Sequence, residues 1–204
     1  MTIRRGASWG SAGALPDDGV VVRSDAEARA VVERARRAGE EPPPLGLLGG
    51  DLCRTLGGRG DEDRLRSDEA TRAVVDLGSV LVDGRQHWFV AHLVARRSWW
   101  RGPVFAALNA QWLGSWDAAP RSHPNDGRLD VITADLSVRD RTKAWRRLPQ
   151  GTHVPHPDIV EQRLAASQID LPPRTAVWLD GERVARRARA LSVRVEADAL
   201  TVVV

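Results

Sequence analysis

N-A-Q-W-L-G-S-W-D-A-A-P-R-S-H-P-N-D-G-R-L-D-V-I-T-A-D, residues Asn109 to Asp135, is the stretch on which the fold turns. An apolar run, Val104 to Leu108, leads into it; Gly114 interrupts it, and a Pro-rich segment ends in Asn125-Asp126-Gly127. That tripeptide is a tight-turn signal, because Gly takes positive φ without a Cβ clash and Asn and Asp side chains bond their own backbone. Leu129 to Thr133 then reads as a strand. Strand, polar loop, strand is the outcome, and the loop is a place where chemistry could sit.

Toward the C-terminus a helix is expected from about Val138 to Leu148, then a Pro-rich link, His153 to Pro157. Strands follow at Ile159–Ile169, Thr175–Leu179, Arg183–Val184, Ala190–Val195 and Leu200–Val204. Toward the N-terminus, Val80–Val82 and His87–Val94 flank Asp83-Gly84, a hairpin signal. Residues 70–204 therefore read as a mostly antiparallel β-sandwich domain. Residues 1–69 read differently. Residues 1–18 form a loose arm with Trp9; Gly19–Val22 is a short strand, and Ser24 with Glu27 makes a capping box that opens a helix ended by Gly39. Leu45–Leu48 is a second strand, a helix runs from Asp51 through Leu56, and Gly58–Asp68 is a charged loop. The expected class is α+β: a small α/β N-terminal unit and a larger antiparallel β-sandwich.

The chain has 204 residues, 42% of them hydrophobic, enough for one large or two small cores. A single cysteine, Cys53, excludes an intrachain disulfide and a Cys-based zinc site, and fits a reducing cytoplasm. No apolar run approaches the roughly 18 residues needed to span a bilayer. Met1 to Gly13 hold two Arg and no apolar core, so no signal peptide is expected. Net charge is +3 with Asp and Glu interspersed, which argues against nucleic acid as a partner. Of eight Trp, five fall between Trp88 and Trp116. Arg96-Arg97-Ser98-Trp99-Trp100-Arg101 is a turn that could meet an anionic membrane, indoles at the interface and guanidinium groups on phosphates; the plainer alternative is Trp packing the sandwich under solvated Arg.

Asn109, Gly114, Pro120 and Asp126-Gly127-Arg128-Leu129-Asp130, followed by Gly151-Thr152-His153 and Leu179-Asp180-Gly181-Glu182, come in the order and approximate spacing of the diacylglycerol and sphingosine kinase-like lipid kinases. Over roughly residues 70 to 204 the chain resembles that family. The resemblance implies transfer of a phosphoryl group from ATP to a lipid hydroxyl, with Mg²⁺ as cofactor and a lipid or membrane surface as partner. It implies Glu182 as proton acceptor, with Asp25 as the other candidate base. It places a structural Mg²⁺ near His123, Asp126 and Arg128. It puts the nucleotide loops at Arg23-Ser24-Asp25 and Gly49-Gly50-Asp51. Here the sequence departs from the family: of the first Gly-rich loop only Asp25 survives, the second has shrunk, and the strand and helix that open the family's nucleotide domain have no counterpart. Glycines there let backbone N–H groups approach phosphates, and Arg23, Ser24 and Ala26 add Cβ atoms instead. The competing expectation is thus a noncatalytic lipid- or partner-binding module, cytoplasmic or peripheral at a membrane, with homo-oligomer or protein partner left open.

Each residue also has a plainer reading. Glu182 could be a solvated strand residue after a hairpin turn, and Asp126 a turn aspartate capping its own backbone. His92, His123, His153 and His156 are explained by loop polarity as well as by metal or base chemistry, and zinc at His153 and His156 is disfavoured because no helix holds them on one face. Cys53 reads as a small core residue.

Overall fold

The computed structural model describes residues 10–204, so the expectation for Trp9 lies outside the described residues. The strands in chain order are β1 (Gly10–Ala12), β2 (Val20–Val22), β3 (Leu45–Leu47), β4 (Thr71–Val82), β5 (Arg85–Phe89), β6 (His92–Arg96), β7 (Val104–Leu108), β8 (Trp112–Leu113), β9 (Trp116–Asp117), β10 (Leu129–Ala134), β11 (Ile159–Leu164), β12 (Ala166–Leu179) and β13 (Glu182–Val203). The helices are α1 (Asp25–Ala38), α2 (Asp51–Thr55), α3 (Glu62–Leu65) and α4 (Val138–Arg147), with a 3₁₀ turn at Leu148–Gln150.

The capping box forms as the sequence predicts. Ser24 Oγ accepts the Glu27 N–H at 3.2 Å, and Glu27 Oε2 accepts the Arg23 N–H at 2.7 Å. Ala28, Val32 and Ala35 bury one stripe of α1, and Gly39 closes it in the left-handed region at φ 74°. β2 and β3 run parallel on either side of α1 in sequence, and β3 pairs parallel with the end of β13, Val202 opposite Leu45.

The remaining ladders are antiparallel, in the order β1-β4-β13-β12-β6-β7-β10-β11, with β5 beside β4. The sheet curls into a sandwich, and the side chains of its inner faces meet in a core that includes Val80, Phe89, Leu93, Phe105, Leu129, Val177, Leu179 and Leu191. Each large apolar side chain so buried contributes about 1.5–3 kcal/mol relative to exposure. Alternation gives β7 two buried faces: Phe105 and Ala107 point into that core, Ala106 and Leu108 into a smaller cluster with Ala118, Ala119 and Trp99. A further core packs α1, β3 and α2 against β4 and β13, with Val32, Leu45, Leu52 and Cys53 buried there. The α+β class and the sandwich expected from sequence are therefore observed. Among the described residues no helix is long and apolar enough to cross a membrane.

Four local expectations need correction. Residues 10–12 are not loose: they form β1 on the edge of β4. The charged loop contains α3, whose first turn is capped by Asp61 Oδ1 accepting the Asp63 and Arg64 N–H groups. The single strand expected over His87–Val94 is two, because the Val90 and Ala91 N–H groups donate to the side chain of Asp180. Conversely, the five strands expected after Ile159 are three. Pro172-Pro173 and the Glu196–Leu200 stretch read as breaks, but β12 and β13 pass through them with shifts of register.

Candidate functional site

A cleft of about 800 Å³ opens between the first turns of α1 and α2 and the sandwich. Its floor is Asp25, Asp51, His92 and Asp180; its far wall is Trp99, Leu113, Trp116, Trp145 and Pro149. Asp25 is buried at the start of α1 because Ser24 caps that helix and turns the next side chain inward. Its carboxylate then bridges to α2, accepting the Asp51 N–H at 2.5 Å and the Leu52 N–H at 3.1 Å. Gly50, at φ 98°, is required there twice over: an L side chain strains at that φ, and a Cβ would collide with the Asp25 carboxylate. A Cβ on Gly49 would lie 2.5 Å from the Arg23 carbonyl oxygen. The two glycines let the first loop pack on the second.

Asp51 reaches across the cleft. One oxygen contacts His92 Nε2 at 2.9 Å and accepts the Gly114 N–H at 2.8 Å, which ties α2 to the loop between β8 and β9. Asp180 lies beneath, its side chain fully buried, accepting N–H groups from Val90, Ala91 and His92 at 2.9–3.0 Å. Burial raises the Asp25 carboxyl to about 6, and the Asp180 charge adds to this, against the lowering effect of the two amides and His92. Burial also raises Asp180 above the ordinary carboxylate range. For Asp51 burial pushes upward, yet the His92 and Gly114 hydrogen bonds win and hold it low. Burial disfavours charge on His92, but Asp51, Asp180 and Asp25 together raise it. One ligand atom each from Asp25, Asp51 and His92 lie within 4.8 Å of one another, a donor set that fits a divalent cation.

The structure brings some sequence candidates together and separates others. Ser24, Asp25, Gly50 and Asp51 line the cleft. Arg23 points away, paired with Glu62 at 3.0 Å. Glu182 is 64% exposed at the cleft's edge and ion-paired with the Arg29 guanidinium. His123, Asp126 and Arg128 lie on the turn before β10, outside the cleft. There one Asp126 oxygen accepts the Arg128 N–H at 3.0 Å and the other is ion-paired with Arg163, while His123 Nδ1 accepts the Asn125 N–H at 3.2 Å. So placed, the Asp126 carboxylate is engaged by a guanidinium rather than turned into the cleft. Asn109 is structural: its buried Nδ2 donates to the Asp76 and Val90 carbonyls. His92 and Asp180 were missed as a pair. The Asp-Gly turn was visible, but nothing in the sequence places His92 over Asp51.

Residues 79–204 match the model of the YegS C-terminal NAD kinase beta sandwich-like domain. The chain belongs to this family. The likeness in fold extends beyond the matched segment. Two solved structures of a presumed diacylglycerol kinase from Bacillus anthracis str. Sterne superpose with TM-scores of 0.69 and 0.67 at 13% and 12% identity, each covering 91% of this chain and 77% of that one. A third, described as a diacylglycerol kinase of the same strain, gives 0.65 at 13% identity over the same shares. At that identity the likeness shows a shared fold. No curated protein matches the sequence.

Proposed function

We propose that this chain is a noncatalytic lipid-binding member of the family, a diacylglycerol kinase-like fold that does not hold ATP in the family's manner. The Asp25 bridge carries this reading. Anions bind helix N-termini through free N–H groups. Here the Asp51 and Leu52 amides are taken by Asp25, and those of Arg23 and Glu27 by the capping box. Three carboxylates form the floor and only His92 and Arg146 among the lining residues are basic, so a triphosphate meets like charge.

The opposite wall supports a lipid. Behind Trp116 and Trp145 lies an apolar slot of about 110 Å³ between β7, β10 and α4. Alone it is below the ~300–1,000 Å³ of ligand pockets; joined to the cleft it is within that range. His153 lines the slot, is buried, and its Nδ1 has no hydrogen-bond partner, which suits a lipid hydroxyl or ester. Thermal melts with Mg²⁺ and millimolar ATP should show no shift, while a short-chain diacylglycerol below its micellar threshold should alter Trp emission. A Mg²⁺-dependent rise in melting temperature with ATP, abolished by Asp25→Asn, overturns the proposal.

A second reading, phosphoryl transfer to a lipid hydroxyl, is favoured by the Asp25, Asp51 and His92 cluster. A bound Mg²⁺ would there neutralise phosphate charge. With Asp25 holding the cation and the Asp51 and Leu52 amides, Glu182 at the cleft's edge could accept the hydroxyl proton, once it leaves Arg29. Labelled phosphate passing from ATP to diacylglycerol, lost in Asp25→Asn, is the result that would favour it.

A further inference from the structure

The turn between β6 and β7 and the exposed side of α4 form one surface. Arg141 welds them. Its buried guanidinium donates to the Leu136 carbonyl at 2.9 Å, to the Trp99 carbonyl at 3.1 Å and to the Gly102 carbonyl, with Asp135 at 3.5 Å. Above this joint Trp100 stacks on Trp145, centroids 5.4 Å apart and planes 21° from parallel. Trp145 meets Trp116 edge to face, and Trp116 meets Trp99 likewise. Val138 and Thr142 lie on the outer line of α4, Trp145 follows at helical spacing on the rim of the slot, and Arg141, Ala144 and Leu148 face into it.

The ladder of rings ends in solvent. Trp100 is 46% exposed, Trp145 39% and Val138 61%, three of the seven large apolar side chains that stay exposed among the described residues. Around them stand exposed cations: Arg97 and Arg101 on the turn, Arg139, Lys143, Arg146 and Arg147 on α4. The turn carries no acid, and α4 carries only Asp140, which pairs with Lys143 at 2.8 Å. Indoles favour the level of lipid headgroups, and each basic side chain near an anionic surface strengthens attachment about fivefold.

We propose that this face docks on an anionic phospholipid bilayer, with Trp100 and Val138 entering the headgroup layer and the surrounding Arg meeting phosphates. Charge complementarity selects that occupant: an aromatic tip ringed by cations, whose two acids, Asp135 and Asp140, are each ion-paired, matches a negative surface and repels a second copy of itself. The docked face lies over the apolar slot, so a lipid could pass from the bilayer to the slot along Trp145. The docking stands on the surface residues and does not require the slot to bind anything.

The test is co-sedimentation of the full chain with phosphatidylcholine vesicles, with and without phosphatidylglycerol. Binding is expected only with phosphatidylglycerol, falling as salt rises. Trp100→Ala and Val138→Glu, both outside the cleft and slot, should each lower partitioning about tenfold, and Arg101→Gln about fivefold, with unchanged melting temperatures. Equal pelleting of wild type on both vesicle types, or equal pelleting of wild type and Trp100→Ala, overturns the proposal. A dimer that dissociates on Trp100→Ala without vesicle binding does so too, and assigns the face to a second copy. Trp emission with monomeric short-chain diacylglycerol, read separately, distinguishes failure of docking from failure of the lipid-binding reading.

Discussion

Asp83-Gly84 and Asp180-Gly181 are the same turn in two places. Both aspartates sit at φ 49°, both glycines at φ 83–85°, and each joins two antiparallel strands. Asp83 is exposed, and its carboxylate accepts the Arg189 and Ala190 N–H groups at the surface. Asp180 is buried beneath the cleft with three amides, and Arg29 approaches it to 4.0 Å. An identical dipeptide is thus a surface clasp at one end of the sandwich and the floor of a candidate site at the other. What differs is the chain that arrives from elsewhere, which the dipeptide does not encode.

The largest expected effect separates the two turns by stability. Asp180→Ala leaves three buried N–H groups without an acceptor and should cost about 3 kcal/mol or more. Asp83→Ala, whose amides reach water, should cost no more than about 1 kcal/mol. Urea unfolding of both variants checks this, and equal losses would dissolve the contrast.

A smaller effect concerns pH near the floor. Asp25 rises from 3.8 to about 6 on folding, so the native state binds the proton more tightly. Its stabilising contribution is full below about pH 4 and is lost as pH rises through about 6, on the order of 3 kcal/mol. Asp180, raised in the same direction, adds to the slope. Melting temperature should therefore fall between pH 4 and 6, and Asp25→Asn should flatten part of that fall.

The smallest effect has the opposite sign. Hydrogen bonds from Arg189 and Ala190 hold Asp83 below its ordinary value. Its contribution is present above about pH 4 and is lost as pH drops below that. Asp83→Asn should slightly reduce the acid sensitivity of melting without touching the fall above pH 4.

Local signals explain what the sequence made legible. The capping box of α1, the Asp83-Gly84 hairpin and the α4 helix all depend on residues within a few positions, and each was found where expected. The split between β5 and β6 was hidden because its cause, Asp180, is about ninety residues away. The same distance hid the site. Asp-Gly-Glu drew attention to Glu182, which faces solvent and Arg29, while the aspartate two residues earlier lies under the cleft. At Asp126, too, the turn was legible and the ion pair with Arg163 was not.

β13 has a consequence for how any ligand enters. Its last residues pair with β3 beside α1, its middle with β4, and its first half with β12 of the sandwich. A kinase that shuts on its nucleotide bends at a joint between two bodies. Here one uninterrupted ribbon runs through both, and bending there would tear a shared ladder. A ligand therefore meets a mouth whose walls are held by one shared strand, with the β8–β9 turn pinned at its rim by Asp51 and Arg54.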